Sequence, residues 1–422
     1  MGPSFTRYSV DYFVRVGLLK MLVAALDSQR RSTAPELITR RLAPLLYQSV
    51  GNGFSRAEEL IRNSDNASWN FALTESNLRQ ILEWGRVAGV VGTGNQITER
   101  GLLLRHLMGN ENVAAILNAD PTTNPFELSE AERLYLLYTQ LECYGALYFL
   151  LRRLIKFSPE EVIRGKEANR LTCFAFFDLL NFFSSAHRSG NVLLTIKDLR
   201  ELVGRMAAEL DLTDEIPVRS VVKTRPTPVH KRKPGQVQAK RTKTADHESI
   251  PRFELLVDLG LLTKKVLPDD PNEAKARKSW RYWTTPQLLS FVNKMPESYR
   301  SDFCWDHFAH CASTLNSNGN NELDATQNTK EIAQRAYAAY LQVKRRFGHT
   351  PIESVAVMAM IEALSARQIL EVRVVHELFL KFKRDNLFPE TVHYAAGNDL
   401  EKMFIDIKPT FMAEVESYYE KG

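Results

Sequence analysis

The chain has 422 residues, 44% hydrophobic and 25% charged. That balance excludes disordered, collagenous and disulfide-scaffold classes; at about 100–200 residues per domain, it allows roughly two to four domains. The net charge of +5 is unevenly spread: nine Lys or Arg and no acid lie between Ile216 and Ala245, and subtracting these nine leaves the rest of the chain at −4.

The first apolar segment, "YSVDYFVRVGLLKMLVAALDSQ", is interrupted by Asp11, Arg15 and Lys20. It is too short to span a bilayer and reads as an amphipathic core helix. A second helix follows in "STAPELITRRLAPLLYQSV", with Ser32 or Thr33 as its cap. The next informative stretch is "LRQILEWGRVAGVVGTGNQITERG", residues 78–101. Leu78, Ile81 and Leu82 share one helical face, and Gly85 and Gly89 close the helix. "VV" and "QIT" are short strands joined by "GTGN", whose residues tolerate positive φ, and Thr98 caps a following helix.

Residues 126–212 are predicted to be wholly helical. Ser129 with Glu132 and Ser158 with Glu161 both have capping-box spacing, and Pro159 suits a first helical position. Residues 213–248, with four prolines and the basic run, form an exposed linker or arm. After it, "RFELLVDLGLLTKK" repeats the earlier order: an apolar helix ending at Gly260, a strand, a long polar loop, the return strand "WRYWT" and the helix "TPQLLSFV". Two helices and a hairpin through Gly397-Asn398 make a fainter third copy at 351–407.

The helix–hairpin–helix order of residues 78–101 and 252–292 resembles the winged helix-turn-helix superfamily, with the third copy a further possible module. The expected fold is therefore mainly α, with small β-hairpin wings: winged-helix modules mounted on a helical bundle. The expected divisions are 1–125 (module 1), 126–212 (bundle), 213–248 (basic arm), 249–313 (module 2, with a long wing) and 314–422 (helices with the possible module 3). Such an assembly is similar to uncharacterised accessory proteins of bacterial defence systems. That resemblance implies a DNA-sensing or adaptor subunit acting beside an ATPase or nuclease.

Candidate DNA-contact residues fall in three places. On the helix of module 1, Asn77, Arg79, Gln80 and Arg86 carry the forked donors and acceptors that match base edges in a major groove. The arm offers Lys231, Arg232, Lys233, Lys240, Arg241 and Lys243, a flexible cationic chain suited to phosphates. The wing of module 2 adds Arg277, Lys278 and Arg281. A solvated polar face is the competing reading for each, and a protein-docking scaffold is the competing function. In the third copy, Val372, Val375, Leu378, Phe379 and Phe382 are expected to be buried. Arg373, Glu377 and Lys381 neutralise one another outside, which suits protein contact better than phosphate.

Cys304, His307 and Cys311 in "CWDHFAHC" share one face if the segment is a single helix. They are the one metal-ligand candidate, although no paired CxxC supports them, and no metal or cofactor is expected. "PDDPNEAK" superficially resembles a nuclease acid–acid–lysine pattern in Asp270, Glu273 and Lys275, but its acids are crowded within one loop. No P-loop, Rossmann fingerprint, GxSxG or HExxH motif occurs. No enzymatic activity, small-molecule substrate or membrane partner is expected. Four cysteines and no secretory signal favour a reducing, cytoplasmic location.

Overall fold

The computed structural model describes residues 16–42, 75–118, 120, 123–124, 126–185, 190–218, 244–266, 280–315, 321–322, 328–345, 349–395 and 403–420. It is mainly helical with small sheets. Among the described residues no helix is long and apolar enough to cross a membrane. The chain divides into two compact units. Tyr144–Thr285 forms the main part of the smaller; the larger combines the described residues between Val16 and Cys143 with those from Pro286 onward.

The larger unit opens with α1 (Gly17–Ala25), every residue of which is buried. The helix is thus surrounded on all sides rather than amphipathic as expected. Its one charge, Lys20, is 1% exposed and donates to the Glu127 carbonyl at 2.7 Å while pairing with Glu132 at 2.9 Å. At the other end, Arg105 donates to the Val23, Ala24 and Leu26 carbonyls at 3.2–3.4 Å, satisfying acceptors that a helix C-terminus leaves open. A helix α2 spans 35–42. Then come α3 (Glu75–Val87), α4 (Glu99–Met108), α5 (Asn110–Leu117) and α6 (Glu130–Cys143). The capping box predicted for α6 is present: Ser129 N–H donates to Glu132 at 2.7 Å, and Glu132 N–H to Ser129 Oγ at 3.2 Å.

The smaller unit contains α7 (Gly145–Leu154), β1 (Ile163–Arg164), α8 (Gly165–Ser185), α9 (Gly190–Glu209), α10 (Thr244–Asp258), β2 (Leu262–Val266) and β3 (Trp280–Thr284). The stretch 126–212 is therefore not wholly helical. Ser158 N–H does donate to the Glu161 carboxylate at 2.7 Å, but the pair closes a turn, and the next helix begins only at Gly165. Between them β1 pairs antiparallel with β3, giving a sheet of order β1-β3-β2. α10 starts at Thr244, so residues 244–248 of the expected linker are helical, with Glu248 buried.

Returning to the larger unit, α11 (Pro286–Lys294) clusters there rather than with the hairpin before it. It is followed by α12 (Phe303–Asp306), α13 (Phe308–Ala312), β4 (Asn321–Glu322), α14 (Thr329–Val343), β5 (Thr350–Pro351), α15 (Ile352–Ser365), β6 (Gln368–Ile369), α16 (Val372–Arg384), β7 (Val392–Ala395), β8 (Phe404–Ile407) and α17 (Phe411–Glu420). β7 and β8 form the expected late hairpin. β5 adds to β8, giving the order β5-β8-β7; β4 and β6 make a separate parallel pair. Tyr340 fastens α14 to β8 by donating to Asp406 at 2.7 Å and accepting from Ile407 N–H at 3.0 Å.

Removing one partner of a buried ion pair strands the other charge, at about 3–5 kcal/mol, whereas an apolar replacement of both is near neutral. Lys20→Ala is therefore expected to lower the thermal transition of the larger unit markedly. Lys20→Met with Glu132→Gln is expected to recover much of the loss. Calorimetry of the full chain checks both, and an unaltered transition in Lys20→Ala would contradict the assignment.

Candidate nucleic-acid interface

In α3 the apolar positions do what their spacing dictates. Leu78, Ile81, Leu82 and Trp84 are 2–5% exposed, while Arg79, Glu83 and Arg86 lie in solvent at i, i+4 and i+7. Asn77 and Gln80 belong to the same helix, but their side chains lie outside the described residues. Arg86 donates to Glu83 at 3.3 Å and to Asn95 Oδ1 at 2.8 Å. With their side chains 40% and 53% exposed, Arg86 and Glu83 form a surface pair worth about 0–1 kcal/mol. The bond to buried Asn95 therefore does more to orient Arg86.

The turn after α3 is compact. Val91 and Ile97 form a single antiparallel bridge, and Thr93–Asn95 is one 3-10 turn in which Gly94 has φ 64°, a conformation that favours glycine. Ser32 Oγ donates to the Gly94 carbonyl at 2.6 Å, and Asn95 Nδ2 to the Thr33 carbonyl at 3.2 Å. These bonds pin the turn to the loop after α1. Thr98 caps α4 as predicted, accepting from Gly101 N–H at 3.1 Å and donating to the Gly89 carbonyl at 2.5 Å. Gly101 is required for closeness: a Cβ there would stand 2.5 Å from the Val90 carbonyl oxygen and 2.6 Å from Ile97.

Other predicted positions fare differently. The arm residues Lys231, Arg232, Lys233, Lys240, Arg241 and Lys243 lie outside the described residues, as do Arg277 and Lys278 and the crowded Asp270, Glu273 and Lys275. Arg281, expected on an exposed wing, is 6% exposed because it sits on the central strand β3. Arg252 and Glu254, on α10 before the hairpin, are buried as well. Arg252 pairs with Glu248 at 3.1 Å, donates to the Tyr144 hydroxyl at 2.5 Å and lies 4.6 Å from the Phe176 ring centre. Glu254 holds Lys264 at 3.0 Å and accepts from the Tyr282 hydroxyl at 2.9 Å.

The Cys/His segment is not one helix. His307 has φ −140° and separates α12 from α13, so the spacing that would put Cys304, His307 and Cys311 on one face does not apply. Cys304 and Cys311 are buried, and Cys304 Sγ lies 3.8 Å from the Tyr138 carbonyl oxygen. Burial pushes both thiols upward, away from the thiolate a metal takes. Among the described residues no group of three or more His, Cys, Asp or Glu is placed to hold a metal ion. In the third copy, Val372, Val375, Leu378, Phe379 and Phe382 are buried as the periodicity requires. Arg373 is bound to Asp306, lies 3.7 Å from Asp302 and sits over the Trp305 ring.

Two features carried too little local signal to be foreseen. Asn95 looked like a turn residue only, yet it couples Arg86 to the α1 loop. Glu371 accepts the Ala309 and His310 N–H groups at 2.9 and 2.8 Å, so a distant carboxylate serves the start of α13. Comparison of the chain with family models, curated proteins and solved structures finds no match.

Burial raises the Glu371 carboxyl to about 7, against the opposing pull of its two backbone donors. Between the ordinary value of 4.5 and 7, the folded state holds a proton that the unfolded state has lost. Stability therefore falls as pH rises through that window. Thermal melts across it are expected to show this slope in the wild type and a flatter one in Glu371→Gln; equal slopes would remove Glu371 as the source. Elemental analysis of the purified chain is expected to find no stoichiometric zinc. About one zinc per chain, lost on Cys304→Ser, would reverse that expectation.

Proposed function

We propose that the chain is a non-enzymatic, double-stranded DNA-binding protein of winged-helix type. In this reading it is a DNA-sensing or adaptor subunit beside an ATPase or nuclease partner. The observation that carries the reading is the solvent face of α3. Arg79 and Arg86 stand about two turns apart on the exposed side of the helix, with Glu83 between them, and the turn after it is held by Arg86, Asn95 and Ser32. A helix presented this way suits a major groove, with the 93–95 turn beside it.

The sheets support the winged-helix part of the proposal. In both β1-β3-β2 and β5-β8-β7, a short strand before the helices pairs with the last strand of the hairpin rather than the first. That order follows from inserting helices between the first strand and a hairpin, which is the winged-helix connection. In the smaller unit the insertion also contains α9 and the basic arm. The arm then contributes sequence-independent affinity through its unopposed charge.

A protein-docking role is favoured for α16 alone. Its Arg373 is engaged by Asp302, Asp306 and Trp305, so the cation is committed within the chain. In this proposal the third copy is a structural module, and α3 is the reading one.

Gel shifts with duplex DNA test the assignment. Arg79→Ala with Gln80→Ala is expected to cost about 1–3 kcal/mol per lost base contact. Arg373→Ala with Lys381→Ala is expected to leave affinity nearly intact. Replacing the six named arm cations by Ser is expected to weaken binding to all sequences alike, and to reduce the slope of log K against log salt by about 0.9 per lost phosphate contact. A wild-type chain that binds no duplex at low salt would overturn the proposal. Loss in the α16 variant with none in the α3 variant would reverse the roles.

A further inference from the structure

The sheet of the smaller unit has two unlike faces. Its register sets Ile163 opposite Tyr282 and Tyr282 opposite Lys264; Ile163 and Tyr282 are 0% and 1% exposed. The next row sets Arg164 opposite Arg281 and Arg281 opposite Lys265. Because side chains alternate along a strand, the three cations lie together on the other face. Trp283, half-buried, and Thr263, exposed, form the neighbouring row on that face.

The two outer members, Arg164 and Lys265, are exposed, and Arg281 between them is buried. Lys264, on the opposite face, pairs with Glu254 at 3.0 Å. The cationic row spans two interstrand steps, about 10 Å. Lys265 Nζ stands 5.8 Å from the centre of the Trp283 ring, so an indole lies within the cationic patch. Basic groups that track a backbone beside an aromatic plane on which a base can stack are the combination that holds unpaired strands.

We propose that this face binds single-stranded nucleic acid, with phosphates on Arg164 and Lys265 and a base against Trp283. The site lies on elements distinct from α3 and does not depend on the duplex reading.

Fluorescence anisotropy of a labelled oligothymidylate with the full chain tests it. Wild type is expected to bind. Arg164→Ser with Lys265→Ser is expected to lose about tenfold in affinity at low salt, and about 0.7 in salt slope for each phosphate contact removed. Trp283→Ala is expected to lose about tenfold with the slope unchanged, since stacking releases no counterions. Arg164 and Lys265 are exposed, so an unchanged circular dichroism melt verifies that the double variant folds. No oligothymidylate binding by wild type, or equal affinity and slope in both variants, would overturn the inference. A loss seen with duplex alone would overturn it too. Duplex affinity measured in parallel on the Arg79→Ala, Gln80→Ala chain reports the other site, so the two readings fail separately.

Discussion

Arg100 holds the larger unit together. From α4 its guanidinium reaches Glu142 on α6 and Glu353 on α15, both at 2.8 Å, and donates to Cys143 Sγ at 3.1 Å. Its own carbonyl accepts from the Tyr135 hydroxyl at 2.7 Å. Burial pushes the Glu142 carboxyl up while Arg100 pulls it down, so the pair is stable only as a pair. Glu142 also accepts from the Trp305 indole at 3.1 Å, and Trp305 lies edge-on to His376 beneath Arg373. The polar chain thus runs from α4 through α6 and α12 to α16. Thr98 and Gly101 close the α3 turn onto α4, so the geometry of the α3 face is inherited from this network.

What could be read from the sequence was whatever a few neighbouring residues decide. Leu78, Ile81 and Leu82, and the five apolar positions of α16, are buried because a helix brings such residues onto one side. The Ser129–Glu132 and Thr98 caps were readable for the same reason: donor and acceptor lie within one turn. The β7–β8 hairpin showed in the turn residues Gly397 and Asn398 of the sequence, whereas the two short strands expected around Gly92–Asn95 are reduced to one bridge, Val91 with Ile97. The first strands β1 and β5 did not show, because two residues carry no period and their partners are more than 50 positions away.

The buried charges share a cause. Arg252, Glu254 and Arg281 have the composition of an exposed face, and a charged residue is ordinarily outside. Burial was decided by groups the local pattern does not contain: Tyr144 and Phe176 around Arg252, and Lys264 and Tyr282 around Glu254. Ser158 and Glu161 made their predicted bond without making a helix, since a capping bond can close a turn and does not by itself nucleate a helix beyond it. The break at His307 similarly separated ligand types that an unbroken helix would have aligned.

Charge alone therefore says little about where a polyanion binds; the accounting of each cation says more. Arg105 is spent on the carbonyls of α1, Arg153 on Asp178, Arg373 on Asp302 and Asp306, and both Arg30 and Arg345 on Glu99. Each such pair lowers the gain from meeting a phosphate, because the cation would first have to leave a carboxylate or carbonyl. Among the described residues Arg164 and Lys265, the exposed flanks of the β1-β3-β2 row, form no such pair, so a phosphate meeting them would displace no carboxylate.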